Sequence, residues 1–451
     1  MRRGSGKSAR IALMAPYDGG NLGGFAIQES LIANLRRMAP EIEICGITLD
    51  PAKTSALHGI PSYPLGANAI PHFHIAEAQD GKNEIALTHK LPQALKRFLR
   101  RIPFALRLKA LVVEIRHAIR SYRLLRTVDL LVIGGGGQLD EEWGGAWGHP
   151  YALAKWSVLA RAAGASVVFV SVGACVMESR LTKLFLKTSL RLACYRSYRD
   201  AQSRRLALSV TPRAEGPVVP DLAFSLPTAC TERANREAGA VRVGVSPIAY
   251  KNAKLWPNTD QREYERYMGE LADFVGALLR DGAQVTLFSS ALPDDQTFTD
   301  VLDRLDPAVR AASKDRICQH APKTVGELRD VVSSVDFVIA SRLHGVLLSC
   351  LFEKPTIAIS YDRKVACLTD ELGQSDYCLD IHSFKSGDLA RSFYRLRADR
   401  EAIVRRLATA RLQYEQVLEM QYQALIQQAL RQGADPLHRY ASELLREQAA
   451  I

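Results

Sequence analysis

Arg342 and His344 stand one residue apart, at the point where a buried apolar segment changes into an apolar helix. Residues 335–340 predict a buried parallel strand, and residues 346–351 predict the body of the helix after the turn. In open α/β sheets, ligands bind outside the carboxyl ends of the strands, where helix N-termini present free N–H groups to anions. A forked cation beside a side chain that titrates near neutral pH suits an anionic substrate whose reaction includes a proton transfer. The sequence therefore predicts a reactive site at this strand end.

A glycine-rich loop follows the first predicted strand. Residues 9–15 predict that strand, residues 16–24 form the loop that contains Asn21 and Gly23, and residues 25–38 show helical spacing. A strand, a glycine-rich loop and a helix N-terminus together could hold an anion. The loop does not match G-x-G-x-x-G, and the GSGKS sequence near the N-terminus lacks the first glycine of a P-loop and precedes the strand. Neither of these nucleotide-binding motifs is present.

A second glycine-rich segment follows the strand predicted at residues 129–133. It consists of four consecutive glycines, Gly134, Gly135, Gly136 and Gly137, and Asp140 comes shortly after them. Four glycines in a row favour the close approach of the backbone to a ligand or to another element, and a flexible turn is the alternative.

Aromatic and titratable side chains surround this second segment. Trp143 and Trp147 could stack on a sugar ring or could belong to the core, and His149 precedes a predicted helix. Arg199 lies at a further strand-to-helix edge, where it could bind an anion or form a salt bridge with the aspartate that follows it.

The alternation of predicted strands and helices indicates an α/β protein with two domains, which is also the expectation for 451 residues. We predict an N-terminal α/β domain at residues 1–215, a proline-rich linker at 216–240, a C-terminal α/β domain at 241–382 and a helical tail at 383–451. The two domains are expected to be Rossmann-like and to face a cleft.

Composition excludes several classes of protein. Hydrophobic residues make up 47% of the chain and charged residues 24%, which is typical of a folded globular protein. The eight cysteines form no C-x-x-C pair, so we expect free thiols and no zinc site. The N-terminus does not resemble a signal peptide, and the apolar stretch at residues 165–177 is too short to span a bilayer. We therefore expect a cytoplasmic protein.

The net charge of +11 is concentrated in one stretch, residues 90–126. Its basic residues alternate with apolar ones and are opposed by Glu114 alone: Lys90, Lys96, Arg97, Arg100, Arg101, Arg107, Lys109, Arg116, Arg120, Arg123 and Arg126. A basic amphipathic stretch suits a membrane surface rich in anionic lipid or a phosphorylated partner. The alternative is a solvated helix whose apolar side lies in the core. Nucleic acid is not expected as a partner, because no nucleic-acid-binding module accompanies the charge.

Five motifs in order resemble those of the polysaccharide pyruvyl transferase family. They are residues 20–27 (GNLGGFAI), residues 129–137 with Asp140, residues 196–200 (RSYRD), residues 221–224 (DLAF), and residues 341–345 (SRLHG) with Pro355 and residues 360–365 (SYDRKV). The resemblance covers residues 9–375 and leaves out the basic stretch and the helical tail. One departure is Gly24, where the family usually carries aspartate, so any role of that carboxylate is lost or moved to another residue.

The resemblance implies a fold like that of GT-B glycosyltransferases and the transfer of a pyruvyl group from phosphoenolpyruvate to two hydroxyls of a sugar, which forms a cyclic ketal. Arg342, Arg199 and the glycine-rich loops would bind the phosphate and carboxylate of the donor. His344 would act as the general acid, and His149 or Asp140 would accept the proton of the sugar hydroxyl. Ser341 and Lys364, from the last motif, are expected to contact substrate. Neither a metal nor a cofactor is implied.

Two other functions remain open. One is a GT-B glycosyltransferase that uses a nucleotide sugar, and the other is an inactive membrane-associated scaffold in which Gly24 marks the loss of activity. If the protein is a pyruvyl transferase, its expected partners are phosphoenolpyruvate and a saccharide acceptor. That acceptor could be lipid-linked, and the basic stretch would then dock peripherally at the inner face of the plasma membrane.

Overall fold

A computed structural model describes residues 8–15, 20–67, 103–141, 144–227, 239–256, 259–432 and 435–449 of the chain. Four predicted features lie wholly or partly outside the described residues. They are residues 16–19 of the first glycine-rich loop, residues 90–102 of the basic stretch, Trp143, and residues 228–238 of the linker. None of the helices among the described residues is long and apolar enough to cross a membrane.

The first half of the chain forms a six-stranded parallel sheet with the order β3-β2-β1-β4-β5-β6. Its strands are β1 (Arg10–Met14), β2 (Glu43–Thr48), β3 (Ser62–Pro64), β4 (Leu130–Gly134), β5 (Ser166–Val172) and β6 (Tyr195–Tyr198). The helices of this half are α1 (Leu22–Met38), α2 (Pro51–His58), α3 (Pro103–Leu125), α4 (His149–Ala163), α5 (Arg180–Leu192) and α6 (Ala201–Val210). The central strands are continuous apolar runs because helices cover both faces of a parallel sheet.

The second half forms another six-stranded parallel sheet with the order β12-β11-β10-β7-β8-β9. Its strands are β7 (Arg242–Ser246), β8 (Gln284–Phe288), β9 (Ile317–His320), β10 (Phe337–Ala340), β11 (Thr356–Ser360) and β12 (Cys378–Asp380). Its helices are α7 (Gln261–Arg280), α8 (Thr297–Leu302), α9 (Pro307–Ala312), α10 (Val325–Ser334), α11 (Leu343–Leu351), α12 (Arg363–Glu371) and α13 (Ser386–Ala398), and two more helices follow, α14 (Arg400–Leu430) and α15 (Pro436–Ala449).

Both sheets have the strand order 3-2-1-4-5-6 of a Rossmann fold, which confirms the predicted α/β class and the helical C-terminal region. The order reverses between β1 and β4 in the first sheet and between β7 and β10 in the second. Ligands of such sheets bind outside the carboxyl ends of the strands at these reversal points. Gly134 ends β4 and Gly135–Gly137 follow it, and Arg342 follows β10, so each predicted segment lies at a reversal point.

The chain divides into two compact units whose limits differ from the predicted domains. The first unit comprises Met1–Asp18, Leu31–Asp221 and Glu419–Ile451, and the second comprises Gly19–Ser30 and Leu222–Leu418. Hydrogen bonds explain both differences. Asn21 forms a bridge with Ala291 after β8, which places the start of α1 in the second unit. The buried Gln421 of α14 accepts hydrogen bonds from Tyr195 and Ser197 of β6, which places the chain end in the first unit.

Candidate active site

The N-terminus of α1 is held against the segment that follows β8. The amide of Leu22 donates to the carbonyl of Ser290 at 3.1 Å, and the amide of Leu292 donates to the carbonyl of Gly20 at 2.9 Å. The side chain of Asn21 accepts a hydrogen bond from the amide of Gly23 at 3.0 Å, as the N-cap of a helix does. Asn21 therefore fixes the first turn of α1, and this is a structural role alongside the predicted one of binding substrate.

Gly23 lies directly against His344, at the N-terminus of α11. A β-carbon added to Gly23 would lie 2.0 Å from Cγ, 2.2 Å from Nδ1 and 2.5 Å from Cβ of His344. Only glycine fits there, so the first and last motifs of the sequence are in contact within the second unit. The N-termini of two helices converge on one half-buried imidazole, and both helix ends favour negative charge.

Arg342 is fixed by a buried carboxylate that sequence reasoning did not identify. Its Nε and Nη2 donate to the two oxygens of Asp294, at 2.6 and 3.0 Å, and the Asp294 side chain is fully buried. The amide of Ala249 also donates to Asp294, at 3.0 Å. Burial lowers the pKa of the Arg342 guanidinium, but the charge and hydrogen bonds of Asp294 together with those of Tyr361 outweigh this effect and raise the pKa above its ordinary value. The guanidinium is therefore a permanent cation with a fixed orientation.

The buried Ser341 links the two strand ends at the reversal point of the second sheet. Its hydroxyl is hydrogen-bonded to the hydroxyl of Tyr267 at 2.8 Å, and the amide of Ile248, just after β7, donates to the same tyrosine at 3.3 Å. Ser341 thus holds the β10 end in register with the β7 end, and its hydroxyl is used in that contact.

Aromatic side chains with cations beside them line the same edge of the second sheet. The rings of Tyr250, Trp256 and Tyr361 contact one another, with centroids 5.2 to 5.8 Å apart. Arg342 lies over Trp256 at 5.7 Å, and Lys364 lies over Tyr361 at 5.4 Å. Lys364 also forms an ion pair of 3.3 Å with Asp362. The sequence signal for this cluster was the presence of aromatic residues shortly after β7 and β11.

A histidine and a glutamate extend this cluster. His382 packs edge-on against Tyr250, with ring centroids 5.6 Å apart, and its Nδ1 is bonded to Glu263. Lys251 donates to the other oxygen of Glu263 at 2.7 Å. Burial raises the pKa of the Glu263 carboxyl, but the hydrogen bonds from Lys251 and His382 outweigh it and lower the pKa. A carboxylate thus orients His382, whose Nε2 lies 3.5 Å from the Tyr250 hydroxyl.

In the first unit, the Gly134–Gly137 segment is a turn held by several hydrogen bonds. Gly135 and Gly136 have φ angles of +55° and +66°, which side chains other than glycine rarely adopt. The amide of Gly135 donates to Val170 at 2.8 Å, and the Gln138 side chain donates to the carbonyls of Gly134 and Gly135 at 3.2 and 2.9 Å. Asp140 is buried nearby, since a β-carbon on Gly137 would lie 3.8 Å from its Oδ2.

His149 supports the same turn from within the core. It is 1% exposed, and its Nε2 lies 2.8 Å from Oε1 of Gln138, the residue that holds the glycines. Burial lowers the pKa of His149 to about 3. This environment does not suit the predicted role of proton acceptor, because the imidazole is closed to substrate and disfavours the charged form. The structure places His149 as a positioning residue for the glycine turn.

Arg199 is buried between two carboxylates of the first unit. Its Nε donates to Asp200 at 3.2 Å, and its Nη1 lies 3.9 Å from Asp221. Burial lowers the pKa of Arg199, but Asp221 and Asp200 outweigh it and raise the pKa. The salt bridge, one of the two alternatives from the sequence, is thus present. It joins the RSYRD and DLAF motifs and already neutralises the charge predicted to bind the donor.

The predicted site residues therefore form two groups. In the second unit the structure brings together Asn21, Gly23, Ser341, Arg342, His344 and, through Tyr361, Lys364. In the first unit it brings together Gly134, Gly135, Gly136, Gly137, Asp140, His149 and, through Gly173, Arg199.

The contact between Gly23 and His344 predicts a steric penalty that depends on both residues. Gly23→Ala is expected to destabilise the protein by about 1–3 kcal/mol, because the new methyl group overlaps both the ring and Cβ of His344. In a His344→Gly background the same change is expected to cost less than about 1 kcal/mol. Urea unfolding of the four proteins in this cycle measures the difference.

The matched control is Gly269→Ala, in α7, where an added β-carbon meets nothing within 4 Å. This change should stabilise the protein by about 0.5–1 kcal/mol, as alanine does in a helix. An equal cost of Gly23→Ala in both backgrounds would contradict the contact.

The burial of His149 predicts a loss of stability in acid. The pKa of a histidine is about 6.5 in an unfolded chain, and the pKa of His149 is lowered to about 3 in the folded one. The contribution of neutral His149 is complete above pH ~6.5 and is lost as the pH falls towards 3, by about 1.4 kcal/mol per pH unit. Urea unfolding from neutral pH to about pH 4 should show a shallower dependence in His149→Asn. The control His320→Asn, at an exposed position of β9, should keep the wild-type slope. Identical slopes for the wild type and His149→Asn would disprove this assignment.

A sequence profile of the family described as polysaccharide pyruvyl transferase matches residues 21–363 of the chain. The match runs from the first to the last of the motifs that suggested this family. A curated relative is the amylovoran biosynthesis protein AmsJ of Erwinia amylovora, with 26% identity over 132 residues. That alignment covers 29% of this chain and 31% of AmsJ, so the chain matches less than a third of that relative's length.

Solved structures with the same fold include a glycosyltransferase from Rickettsia africae and a UDP-GlcNAc 2-epimerase from Methanocaldococcus jannaschii. The first has a TM-score of 0.55 at 9% identity and covers 94% of this chain and 100% of its own. The second has a TM-score of 0.52 at 8% identity and covers 85% and 92%. At these identities the likeness establishes the fold alone, which is the GT-B-like α/β architecture expected from the sequence. The profile match extends over most of the chain, and the protein belongs to the polysaccharide pyruvyl transferase family.

Proposed function

We propose that the protein transfers the pyruvyl group of phosphoenolpyruvate to two hydroxyls of a saccharide, in a polysaccharide or its lipid-linked precursor, and forms a cyclic ketal. The observation that carries this proposal is the geometry around Arg342 and His344 in the second unit. A fixed cation and an imidazole lie two positions apart at the N-terminus of α11, and the N-terminus of α1 closes on the imidazole through Gly23. Family membership supports a polysaccharide-modifying transferase.

Arg342 would bind an anionic group of the donor. Asp294 binds Nε and Nη2 and so sets the plane of the guanidinium, which also has a hydrogen bond with the Tyr361 side chain. The raised pKa of Arg342 keeps it charged at every working pH. The helix N-termini add a favourable potential for the carboxylate or phosphate. Lysine could not replace this arginine, because an ammonium cannot make the two-point contact with Asp294 that orients the group.

His344 would act as the general acid. Protonation of the methylene carbon of phosphoenolpyruvate makes its central carbon electrophilic, and the first sugar hydroxyl adds to that carbon. The second hydroxyl then displaces phosphate, which yields a methyl ketal carboxylate and inorganic phosphate. One hydroxyl proton balances the proton delivered to carbon, and the other leaves with phosphate. An imidazolium is a general acid that can deliver a proton to carbon.

Two side chains are candidates to accept the proton of the sugar hydroxyl. Asp140, proposed from the sequence, lies beside the Gly134–Gly137 segment in the first unit. His382 is the candidate added by the geometry of the second unit, because Glu263 binds its Nδ1 and thereby leaves Nε2 as the basic nitrogen. The aromatic cluster of Tyr250, Trp256 and Tyr361 supports a saccharide as the acceptor, since aromatic faces offer apolar area to a sugar ring.

The test is the release of phosphate from phosphoenolpyruvate with galactosyl, glucosyl and mannosyl acceptors. We expect release that requires an acceptor, and a loss of at least about a hundredfold in kcat/KM for His344→Gln and for Arg342→Lys. The matched controls are His320→Gln and Arg391→Lys, at exposed positions of the second unit, which should stay within about twofold of the wild type. His382→Gln and Asp140→Asn distinguish the two candidate bases.

Any of four results would contradict the proposal. Phosphate release that needs no acceptor would contradict transfer to a sugar, and phosphate release unaffected by His344→Gln would contradict the role of His344 as general acid. Thermal stabilisation by a nucleotide sugar, together with no turnover of phosphoenolpyruvate, would favour the glycosyltransferase alternative. Turnover of neither donor, with normal folding, would favour the scaffold.

A further inference from the structure

Helix α3 exposes the apolar side that a soluble helix normally buries. Five apolar residues, spaced so that they form one stripe, are 36 to 54% exposed: Leu111, Val112, Ile115, Ile119 and Tyr122. The opposite side of the helix is buried and carries His117, Ser121 and Leu125. The described part of α3 therefore does not fit the alternative in which the apolar side of the basic stretch lies in the core.

Arginines lie beside this apolar stripe. Arg116, Arg120 and Arg123 follow the same three- and four-residue spacing, so they occupy the neighbouring part of the exposed side. Glu114 is the one acidic residue of the helix, and its charge is neutralised by Lys155 at 2.8 Å. The exposed side of α3 thus combines apolar side chains with positive charge that has no negative counterpart on the same helix.

Helices α4 and α5 continue this surface. Tyr151 of α4 donates to Glu114 of α3 at 3.0 Å and packs against Phe185 of α5 with ring centroids 5.6 Å apart, so it connects all three helices. Trp147, just before α4, also contacts Tyr151 and Phe185 and is 69% exposed. Leu184 of α5 is 55% exposed.

Helix α5 adds further positive charge to this surface. Its sequence, RLTKLFLKTSLRL, contains no acidic residue. Its four basic residues, Arg180, Lys183, Lys187 and Arg191, are all exposed. The basic apolar surface of the first unit consists of the exposed residues of α3, those of α5, and Trp147 in the turn before α4.

We propose that the basic apolar surface docks on the face of a membrane that contains anionic phospholipid. Apolar side chains interleaved with Lys and Arg fit the boundary between acyl chains and headgroups, where each basic residue adds attraction to anionic lipid. Binding of nucleic acid would use the charges but would have no use for the exposed aliphatic stripe. This inference concerns the first unit and does not depend on the proposed reaction.

The experiment is flotation of the full chain with vesicles of phosphatidylcholine alone or of equal parts phosphatidylcholine and phosphatidylglycerol. We expect binding to the anionic vesicles, weakened on the order of a hundredfold by the triple change Arg116→Gln, Arg120→Gln and Arg123→Gln, at about fivefold per basic residue. The double change Ile115→Ser and Ile119→Ser should also weaken binding. The matched control removes three exposed arginines of the second unit, by Arg391→Gln, Arg397→Gln and Arg405→Gln, and should bind like the wild type.

The fluorescence of Trp147 tests whether the basic apolar surface itself contacts the membrane. Its fluorescence emission should shift to shorter wavelength with anionic vesicles, and Trp147→Phe should remove most of that shift without removing binding. Circular dichroism of each variant separates misfolding from lost binding. Equal binding to both kinds of vesicle, no binding at all, or equal weakening by the control would overturn the proposal. A dimer in solution that Ile115→Ser and Ile119→Ser dissociates, without vesicle binding, would assign the surface to a second copy of the chain instead.

Discussion

The contact between Gly23 and His344 is the constraint on which the arrangement of the second unit depends. It requires a residue without a side chain at the second position of α1, and it requires the start of α1 to belong to the unit formed mainly by the second half of the chain. The bridge between Asn21 and Ala291 and the bonds of Leu22 and Leu292 serve this approach. Two helix N-termini thereby converge on one imidazole, beside a strand end that carries Arg342. The chemistry proposed for the protein follows from that convergence.

Buried carboxylates decide which arginines are fixed and which are neutralised. Asp294 holds Arg342 by two hydrogen bonds, but the Arg342 side chain remains 20% exposed and so can still reach a ligand. Arg199 is 9% exposed and lies near both Asp200 and Asp221, so its charge is more than balanced. A buried ion pair of that kind contributes to specificity of folding at least as readily as to binding. The two arginines, both of which the family resemblance assigned to binding the donor, therefore differ in what they can do.

The central strands and the site at the end of β10 were predictable from the sequence. The edge strands and the carboxylate that binds Arg342 were not. Strands β1, β4, β5, β10 and β11 are mainly apolar, whereas β3, β9 and β12 are short edge strands. In β9, for example, Cys318 and the two residues after it are exposed, so the strand has no run of buried apolar residues that would mark it in the sequence. Arg342 and His344 were identifiable because a strand end precedes them. Asp294 was not, because it lies in a polar turn that looks like surface and is buried only by tertiary contacts. His149 looked like a base in the sequence, and only the structure shows that it lies buried against Gln138.

The proposed function requires the donor to bind where Arg342 and His344 meet the N-termini of α1 and α11. A crystal structure of the protein with phosphoenolpyruvate tests this requirement. We expect an anionic group of the donor to be hydrogen-bonded to the Arg342 guanidinium, with the methylene carbon beside the His344 imidazole. A donor bound along the Gly134–Gly137 segment, without contact to Arg342 and His344, would refute the proposed site.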